Sequence, residues 1–381
     1  MAGGKKPLFI LPNLNGGGAE RATLQLLTRL IARGFDPKLL LVRRSGALLG
    51  RVPPELEVLS AIESGARVYS GAPSLLRKLL RVARECDVIV GALEHEACYL
   101  AWLAARMTGK PVIGWIHAVM GVHLGEVSRL HTILARQVYP RMERLVFPSR
   151  ASAESLGSLM SLDRARIAVI PSYIDVGELQ ADAAQSLPEW AAQVFRKPTI
   201  VSAGRLVHSK GFDLLIRAHA RVRNSGVDHH LLILGEGPLR IELQSLAAQL
   251  GVSSSVTMPG FVDNPFALMK AATLFALASR FESLATVVLE AMAVGCAVVA
   301  SDCPGGIREV LSAVRDSEPA ADPCGLLVRV NDEVALAEAL GKMLGDAALR
   351  RTLGAAASIY VLNFSPEKVV SRWERLLSGV A

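Results

Sequence analysis

Two cations five residues apart stand in one glycine-bearing loop, Gly204-Arg205-Leu206-Val207-His208-Ser209-Lys210-Gly211. The apolar run Thr199–Ala203 before them reads as a buried strand, and Phe212–Asn224 after them as a helix. A loop leaving a core strand holds its cations in place. A guanidinium fork beside an ammonium point charge suits a diphosphate, which carries about two negative charges and several acceptor oxygens. Arg205 and Lys210 are therefore the first candidates for a diphosphate site.

The stretch from Ser279 to Gly295 holds two carboxylates eight residues apart, Glu282 and Glu290, in otherwise apolar sequence. Residues 284–294 read as a buried helix stopped by Gly295, so Glu282 falls just before its start and Glu290 nearly two turns inside. A buried carboxylate needs a partner, and paired sugar hydroxyls provide one. The backbone amides near Ser283, Leu284 and Ala285 open that helix and suit a phosphate or sugar oxygen. A third loop, Asn13 to Arg21, carries Gly16, Gly17 and Gly18 between a strand and a helix. Glycines there admit a ligand close to the backbone. The loop is not a G-x-G-x-x-G, and Arg43 and Arg44 stand where a dinucleotide site needs an acid, so nicotinamide chemistry is poorly supported. Weaker signals of the same kind are Gly235-Glu236-Gly237-Pro238, Gly260-Phe261-Val262-Asp263 and Gly305-Gly306.

These loops need a scaffold, and the chain supplies alternating strand and helix signals. Strands are expected at Leu8–Leu11, Lys38–Val42, Val88–Val90, Val112–Ile116, Leu145–Phe147 and Ile167–Ile170, with helices between several of them. Residues 176–197 lose the rhythm, which places a domain junction there. The pattern restarts with strands at Thr199–Ala203, His230–Leu234, Val256–Met258, Leu274–Leu277 and Ala297–Ala300. The expectation is an α/β protein of two doubly wound domains, 1–187 and 188–365, with a last helix, 366–381, opened by Ser365 and Pro366. In such sheets ligands bind beyond the carboxyl ends of the strands, where these loops lie.

Composition narrows the classes. With 51% hydrophobic residues, 5% aromatics and 381 residues, the chain suits two cores of ordinary size. The net charge of +7 is uneven: residues 1–195 hold 23 Lys+Arg against 17 Asp+Glu. That favours an acidic partner, whether a phosphate-bearing substrate or an anionic membrane surface. Nucleic acid is not expected, because no aromatic-rich basic stretch, zinc spacing or recognition-helix pattern occurs. The five cysteines make no C-x-x-C pair and sit mainly in apolar runs, which implies a reducing compartment. The apolar run near the N-terminus is too short for a signal peptide, and no window is long enough for a membrane span. A cytoplasmic protein is expected; the basic amphipathic segment Leu75–Arg84 suits either peripheral attachment at the inner membrane face or an ordinary surface helix packed on the sheet.

The motifs Gly-Gly-Ala-Glu-Arg (17–21), Gly-Arg-Leu…Lys-Gly (204–211), Glu-x7-Glu (282–290), Glu-Ala-Met-Ala-x-Gly (290–295), Val298–Asp302 and Phe-Ser-Pro-Glu (364–367) together resemble the GT-B-fold retaining glycosyltransferases of family 4. The resemblance runs almost end to end. It implies two Rossmann-like domains facing a cleft, with the C-terminal helix crossing back to the first. It implies that Arg205 and Lys210 hold the donor diphosphate, that Glu290 binds the ribose, and that Glu282 with the amides of Ser283, Leu284 and Ala285 contacts the transferred sugar. Gly16, Gly17, Gly204, Gly235 and Phe261 fall among the donor-binding positions, and His117, after Ile116, stands near the reacting carbon. No metal and no cofactor are expected beyond a nucleoside-diphosphate sugar as co-substrate, with UDP favoured by its frequency among such enzymes. The acceptor is expected to be a glycan or a lipid-linked molecule in cell-surface polysaccharide or glycolipid synthesis. Ser283 stands where many members have Gly and Ala297 where many have Pro. An epimerase or phosphorylase of the same fold is the alternative.

Overall fold

A computed structural model describes residues 5–62, 68–120, 129–311 and 323–380. The chain divides into two compact units. One comprises residues 1–173 with 366–381, the other 174–365.

In chain order the first unit runs β1 (Pro7–Leu11), α1 (Gly18–Ala32), β2 (Lys38–Arg43), β3 (Glu57–Ile62), α2 (Val68–Glu85), β4 (Val88–Gly91), α3 (Glu96–Thr108), β5 (Val112–Trp115), α4 (Arg129–Val138), β6 (Arg144–Phe147), α5 (Arg150–Gly157) and β7 (Ile167–Val169). Its seven strands are all parallel, in the order β3-β2-β1-β4-β5-β6-β7. The central strand is apolar throughout because both of its faces are covered. Leu8 and Ile10 point into the core shared with α2, α3 and α4, while Phe9 and Leu11 point into the core under α1. The chain leaves β1 toward β2 and β3 on one side and returns to β4 on the other, so the switch point lies between β1 and β4.

The second unit continues with α6 (Val176–Ala183), β8 (Thr199–Ala203), α7 (Phe212–Asn224), β9 (His230–Leu234), α8 (Arg240–Gln249), β10 (Val256–Gly260), α9 (Phe266–Ala271), β11 (Leu274–Leu277), α10 (Thr286–Ala293), β12 (Val298–Asp302), α11 (Ile307–Leu311), β13 (Leu326–Arg329), α12 (Glu333–Gly345) and α13 (Ala347–Tyr360). Six parallel strands lie in the order β10-β9-β8-β11-β12-β13, which puts the switch point between β8 and β11. Phe275 and Leu277 of β11 face α10, while Leu274 and Ala276 face the layer of α7, α8 and α12.

The division falls after Tyr173, earlier than the boundary at 187 expected from composition. Ile174 is buried in the second core, Val176, Leu179 and Leu187 pack on it, and Gln180 donates to Ala293 O at 3.1 Å. A stretch that looked like a polar linker thus carries enough apolar residues to belong to the unit it precedes.

The last helix, α14 (Pro366–Gly379), begins at the expected proline and belongs to the first unit. Val369, Val370, Trp373 and Leu377 are buried there. The Trp373 ring lies 4.6 Å from Trp115 and 6.3 Å from Phe9. Lys5 Nζ caps the helix C-terminus by donating to Leu377 O and Ser378 O at 3.3 and 3.0 Å.

Candidate active site

In the second unit the loops after β8 and β11 meet at the switch point. Leu206, fully buried, anchors the first loop, and its amide donates to Glu236 O at 2.8 Å. A single 3-10 turn, His208–Lys210, then delivers Lys210, and Gly211 closes the loop at φ 63°. A Cβ on Gly211 would lie 2.0 Å from Ala278 O, so only glycine lets the two loops come this close. The lysine stem runs over Gly204, where Lys210 Cδ would lie 3.6 Å from a Cβ, an ordinary contact. Gly235, at the end of β9, donates to Gly260 O at 2.8 Å, and a Cβ on it would strike Gly204 O at 2.1 Å. Gly204 and Gly235 thereby let the ends of β8, β9 and β10 approach closely, where the pairing of β10 with β9 shifts register between Thr257 and Gly260.

From β11 the chain passes through Ser279, fully buried, to Glu282, which is 9% exposed. The Glu282 backbone is pinned by its N–H donating to Pro304 O at 3.0 Å, and its carbonyl accepts from Gly306 N at 3.2 Å. Its Oε1 accepts from Ser279 Oγ at 2.7 Å and from Lys210 Nζ at 2.5 Å. Burial first, and the charge of Glu282 second, push the nearby Cys303 thiol up to about 12. Arg205 is exposed on the same loop as Lys210.

Helix α10 starts at Thr286, later than the 284 expected, because Ala285 takes the left-handed conformation (φ 58°, ψ 63°). Alanine there is strained, and such strain concentrates at functional sites. The side chains of Leu284 and Ala285 are buried in the core, so what they offer a ligand is their backbone. The first-turn amides of α10 have no acceptor within the helix. Glu290 follows one turn inside α10 and is half-buried, not enclosed as the sequence suggested. Phe261, 65% exposed, stands just past β10.

In the first unit the β1–α1 loop leaves the sheet at the β1/β4 switch point. Leu14 is buried and tied to Ser45 O and Leu48 N, which leaves Gly16 and Gly17 exposed in front of α1 and Gly18 exposed at its first position. Gly16 has φ 106°, and nothing lies within 4 Å of a Cβ built on it. His117 follows β5. Its amide donates to Glu94 Oε2 at 3.0 Å, and its ring lies 4.5 Å from that of Trp115. Burial of the ring lowers its pKa to about 3, so it is neutral at pH 7. Its Nε2 is buried and has no partner among the described residues.

Residues 16–178 match the family described as Glycosyltransferase Family 4, and residues 191–359 match Glycosyl transferases group 1. The chain belongs to these glycosyltransferases. A D-inositol 3-phosphate glycosyltransferase of Nocardia farcinica is 32% identical, over 92% of this chain and 82% of the relative. An N-acetylgalactosamine-N,N'-diacetylbacillosaminyl-diphospho-undecaprenol 4-alpha-N-acetylgalactosaminyltransferase of Campylobacter jejuni is 28% identical, over 98% of this chain and 100% of the relative. Among solved structures, Anabaena HepE in complex with UDP and glucose superposes with a TM-score of 0.83 at 21% identity, covering 98% of this chain and 100% of that one. The shared fold is the two-unit GT-B architecture of parallel, helix-covered sheets. The epimerase or phosphorylase alternative is not favoured by these matches.

The glycosyltransferase also holds notable residues outside these motifs. Glu94 and His95 follow β4 at the same sheet edge as His117. His95 has φ 59° and ψ −114°, a region that side chains other than glycine's rarely occupy. Its amide donates to the Tyr139 hydroxyl at 3.1 Å, and its ring lies 4.7 Å from His131. The available signal was position: Glu94-His95-Glu96 comes directly off a core strand.

The apolar side chains of the basic segment Leu75–Arg84 are taken up by the first unit. Leu75, Leu79, Leu80, Val82 and Ala83 are buried in the first core, and only Arg77, Lys78, Arg81 and Arg84 face outward. Among the described residues no helix is long and apolar enough to cross a membrane.

Proposed function

We propose that this glycosyltransferase moves a hexose-type sugar from a nucleoside-diphosphate sugar, with UDP the first candidate, to a glycan or lipid-linked acceptor. The pair Lys210–Glu282 at the β8/β11 switch point carries the reading. In the transfer the bond from the anomeric carbon to the diphosphate oxygen breaks and a bond to the acceptor oxygen forms. The acceptor proton leaves with the nucleoside diphosphate. Negative charge therefore grows on the diphosphate. Arg205 and Lys210 meet it, Lys210 exchanging Glu282 Oε1 for a phosphate oxygen, and the open amides of α10 add a fixed dipole. The released Glu282 carboxylate then accepts from sugar hydroxyls, Glu290 takes the ribose hydroxyls, and His117 offers a neutral imidazole. Transfer with retention and without a metal ion belongs to the same proposal.

The relatives support the substrate class. One acts on a diphospho-undecaprenol-linked acceptor, another is named for D-inositol 3-phosphate, and HepE was captured with UDP and glucose. A role in cell-surface polysaccharide or glycolipid synthesis follows from that company. An acceptor carried by lipid fits an anionic membrane surface met by the first unit. There α3 packs against both α2 and α4 and exposes Leu103 and Met107, while α4 exposes Leu130, Ile133, Arg129 and Arg136. Helix α2, which packs on α3, exposes Arg77, Lys78, Arg81 and Arg84.

Incubation with UDP-, GDP- and ADP-sugars and a polyprenyl-diphosphate-linked acceptor tests the reading. One donor should be consumed in the presence of a chelator, and the anomeric proton coupling of the product should match that of the donor. An inverted product, or turnover abolished by the chelator, would contradict the corresponding step.

A further inference from the structure

The loop that carries Lys210 is clasped to the loop that carries Glu282, and one residue, Arg280, makes most of the hydrogen bonds of that clasp. Arg280 lies two residues before Glu282. Its guanidinium grips Asp213, in the first turn of α7, with two bonds: Nη1 to Oδ1 at 2.9 Å and Nη2 to Oδ2 at 2.7 Å. The same Nη1 donates to His208 O at 2.7 Å, and the Arg280 backbone N–H donates to Ser209 O at 2.8 Å. Arg280 thus bonds the 3-10 turn at His208 and Ser209, before the lysine, and the first turn of α7 at Asp213, after it. The Arg280 side chain is 16% exposed and that of Asp213 34%, so the pair is partly shielded from solvent. Burial alone would raise the Asp213 carboxyl, yet the Arg280 fork outweighs it and holds the group below the ordinary carboxylate range. A two-pronged guanidinium–carboxylate pair fixes direction as well as distance, which a single lysine contact does not.

We propose that Arg280, through its fork on Asp213 and its bond to the His208 carbonyl, is a positioning residue that sets Lys210 for the donor diphosphate. It touches no reacting atom. It acts by denying the β8–α7 loop the freedom to carry the lysine away from Glu282 and the diphosphate. The proposal rests on the diphosphate site described above.

The test is a thermodynamic cycle read by calorimetric titration of UDP, with GDP and ADP titrated in parallel. The proteins are wild type, Arg280→Ala, Lys210→Ala and the double variant, with Arg280→Lys and Asp213→Glu alongside. Arg280→Ala should weaken binding of the preferred nucleotide about 10-fold. The same change in the Lys210→Ala background should weaken it less than about 2-fold, because the group it positions is already gone. Arg280→Lys should recover little, since an ammonium cannot make the fork. Asp213→Glu, which keeps a carboxylate for the fork, should retain most of the affinity and guards against a variant that fails to fold. Equal losses in both backgrounds, or full rescue by lysine, would overturn the proposal. If wild type binds one nucleotide and Lys210→Ala weakens it while Arg280→Ala does not, the positioning role falls and the site stands. If wild type binds none of the three, the site itself falls.

Discussion

The second unit carries a pair of buried imidazoles whose response to acid can be worked out in advance. His219 of α7 and His229, just before β9, are both fully buried. His229 Nδ1 lies 2.9 Å from Val227 O, its Nε2 lies 2.8 Å from His219 Nδ1, and His219 Nε2 lies 2.9 Å from Ser255 Oγ. One proton per ring satisfies this chain. His229 donates to Val227 O, His219 donates to His229 Nε2, and the Ser255 hydroxyl, which also lies 3.0 Å from Val252 O, turns its proton to His219 Nε2. An added proton would be buried among His229, Arg223 and His230. Desolvation, and then those neighbours, lower the His219 pKa from 6.5 to about 3, and His229 is lowered in the same direction.

The folded pKa is depressed, so the unfolded chain binds the proton first as pH falls. The stabilisation is present in full above pH 6.5 and is lost as pH drops toward 3. For His219 alone the loss at pH 5 is about 2 kcal/mol, at 1.36 kcal/mol per pH unit over the 1.5 units below its unfolded value. For a unit of this size that is a fall of roughly 4–8 °C in the unfolding midpoint. Thermal unfolding at pH 7.5, 6.5, 5.5 and 5.0 and constant ionic strength, for wild type and His219→Gln, measures it. Wild type should lose about that much more than the variant between pH 7.5 and 5.0. Parallel pH slopes would refute the argument that a neutral imidazole is required at this position.

Other outcomes follow from the same contacts. Lys210→Ala should weaken binding of the preferred nucleoside diphosphate by about 10- to 100-fold in calorimetric titration, the worth of one charge-assisted bond. Gly211→Ala places a Cβ 2.0 Å from Ala278 O at a left-handed φ. It should lower the stability of the second unit by about 2–4 kcal/mol in urea titration, through strain and loop displacement. Trp373→Ala removes the ring packed on Trp115 and Phe9 and should destabilise the first unit by about 3–5 kcal/mol in the same assay. Replacing Leu130 and Ile133 by serine, or reversing the charges of Arg77, Lys78 and Arg81, should release the protein from phosphatidylglycerol vesicles in a flotation assay. Phosphatidylcholine vesicles should bind neither form.

Much of the scaffold was legible because buried parallel strands leave short apolar runs with loops of charge and glycine at their ends. Arg205, Lys210 and Glu282 stood out for that reason. Other elements left a fainter trace. β3 and β13 are edge strands, Glu57–Ile62 and Leu326–Arg329: Ser60 interrupts the apolar run of the first, and that of the second is only three residues long before Arg329. Helices α12 and α13 contain Gly341 and Gly354 and much alanine, which blurs a 3.6-residue period. The Lys210–Glu282 bond spans 72 positions in sequence, and the Arg280–Asp213 fork 67, so only the sheet order brings either pair together. The strain at His95 and Ala285 lies in backbone angles that residue type does not announce. The division lies before the expected junction because the apolar residues of 174–187 are sparse, although Ile174, Val176, Leu179 and Leu187 find places in the second core.

The central claim is that a nucleoside diphosphate binds beyond β8 and β11, on Arg205 and Lys210. Thermal unfolding with UDP, GDP, ADP and NAD, for wild type and Arg205→Ala, tests it most directly. A ligand at 100 times its dissociation constant adds about 2.7 kcal/mol, enough to raise the midpoint visibly. The account predicts a rise with one nucleoside diphosphate, named by its base, that Arg205→Ala diminishes or abolishes. A rise with NAD alone, or an undiminished rise in the variant, would contradict it.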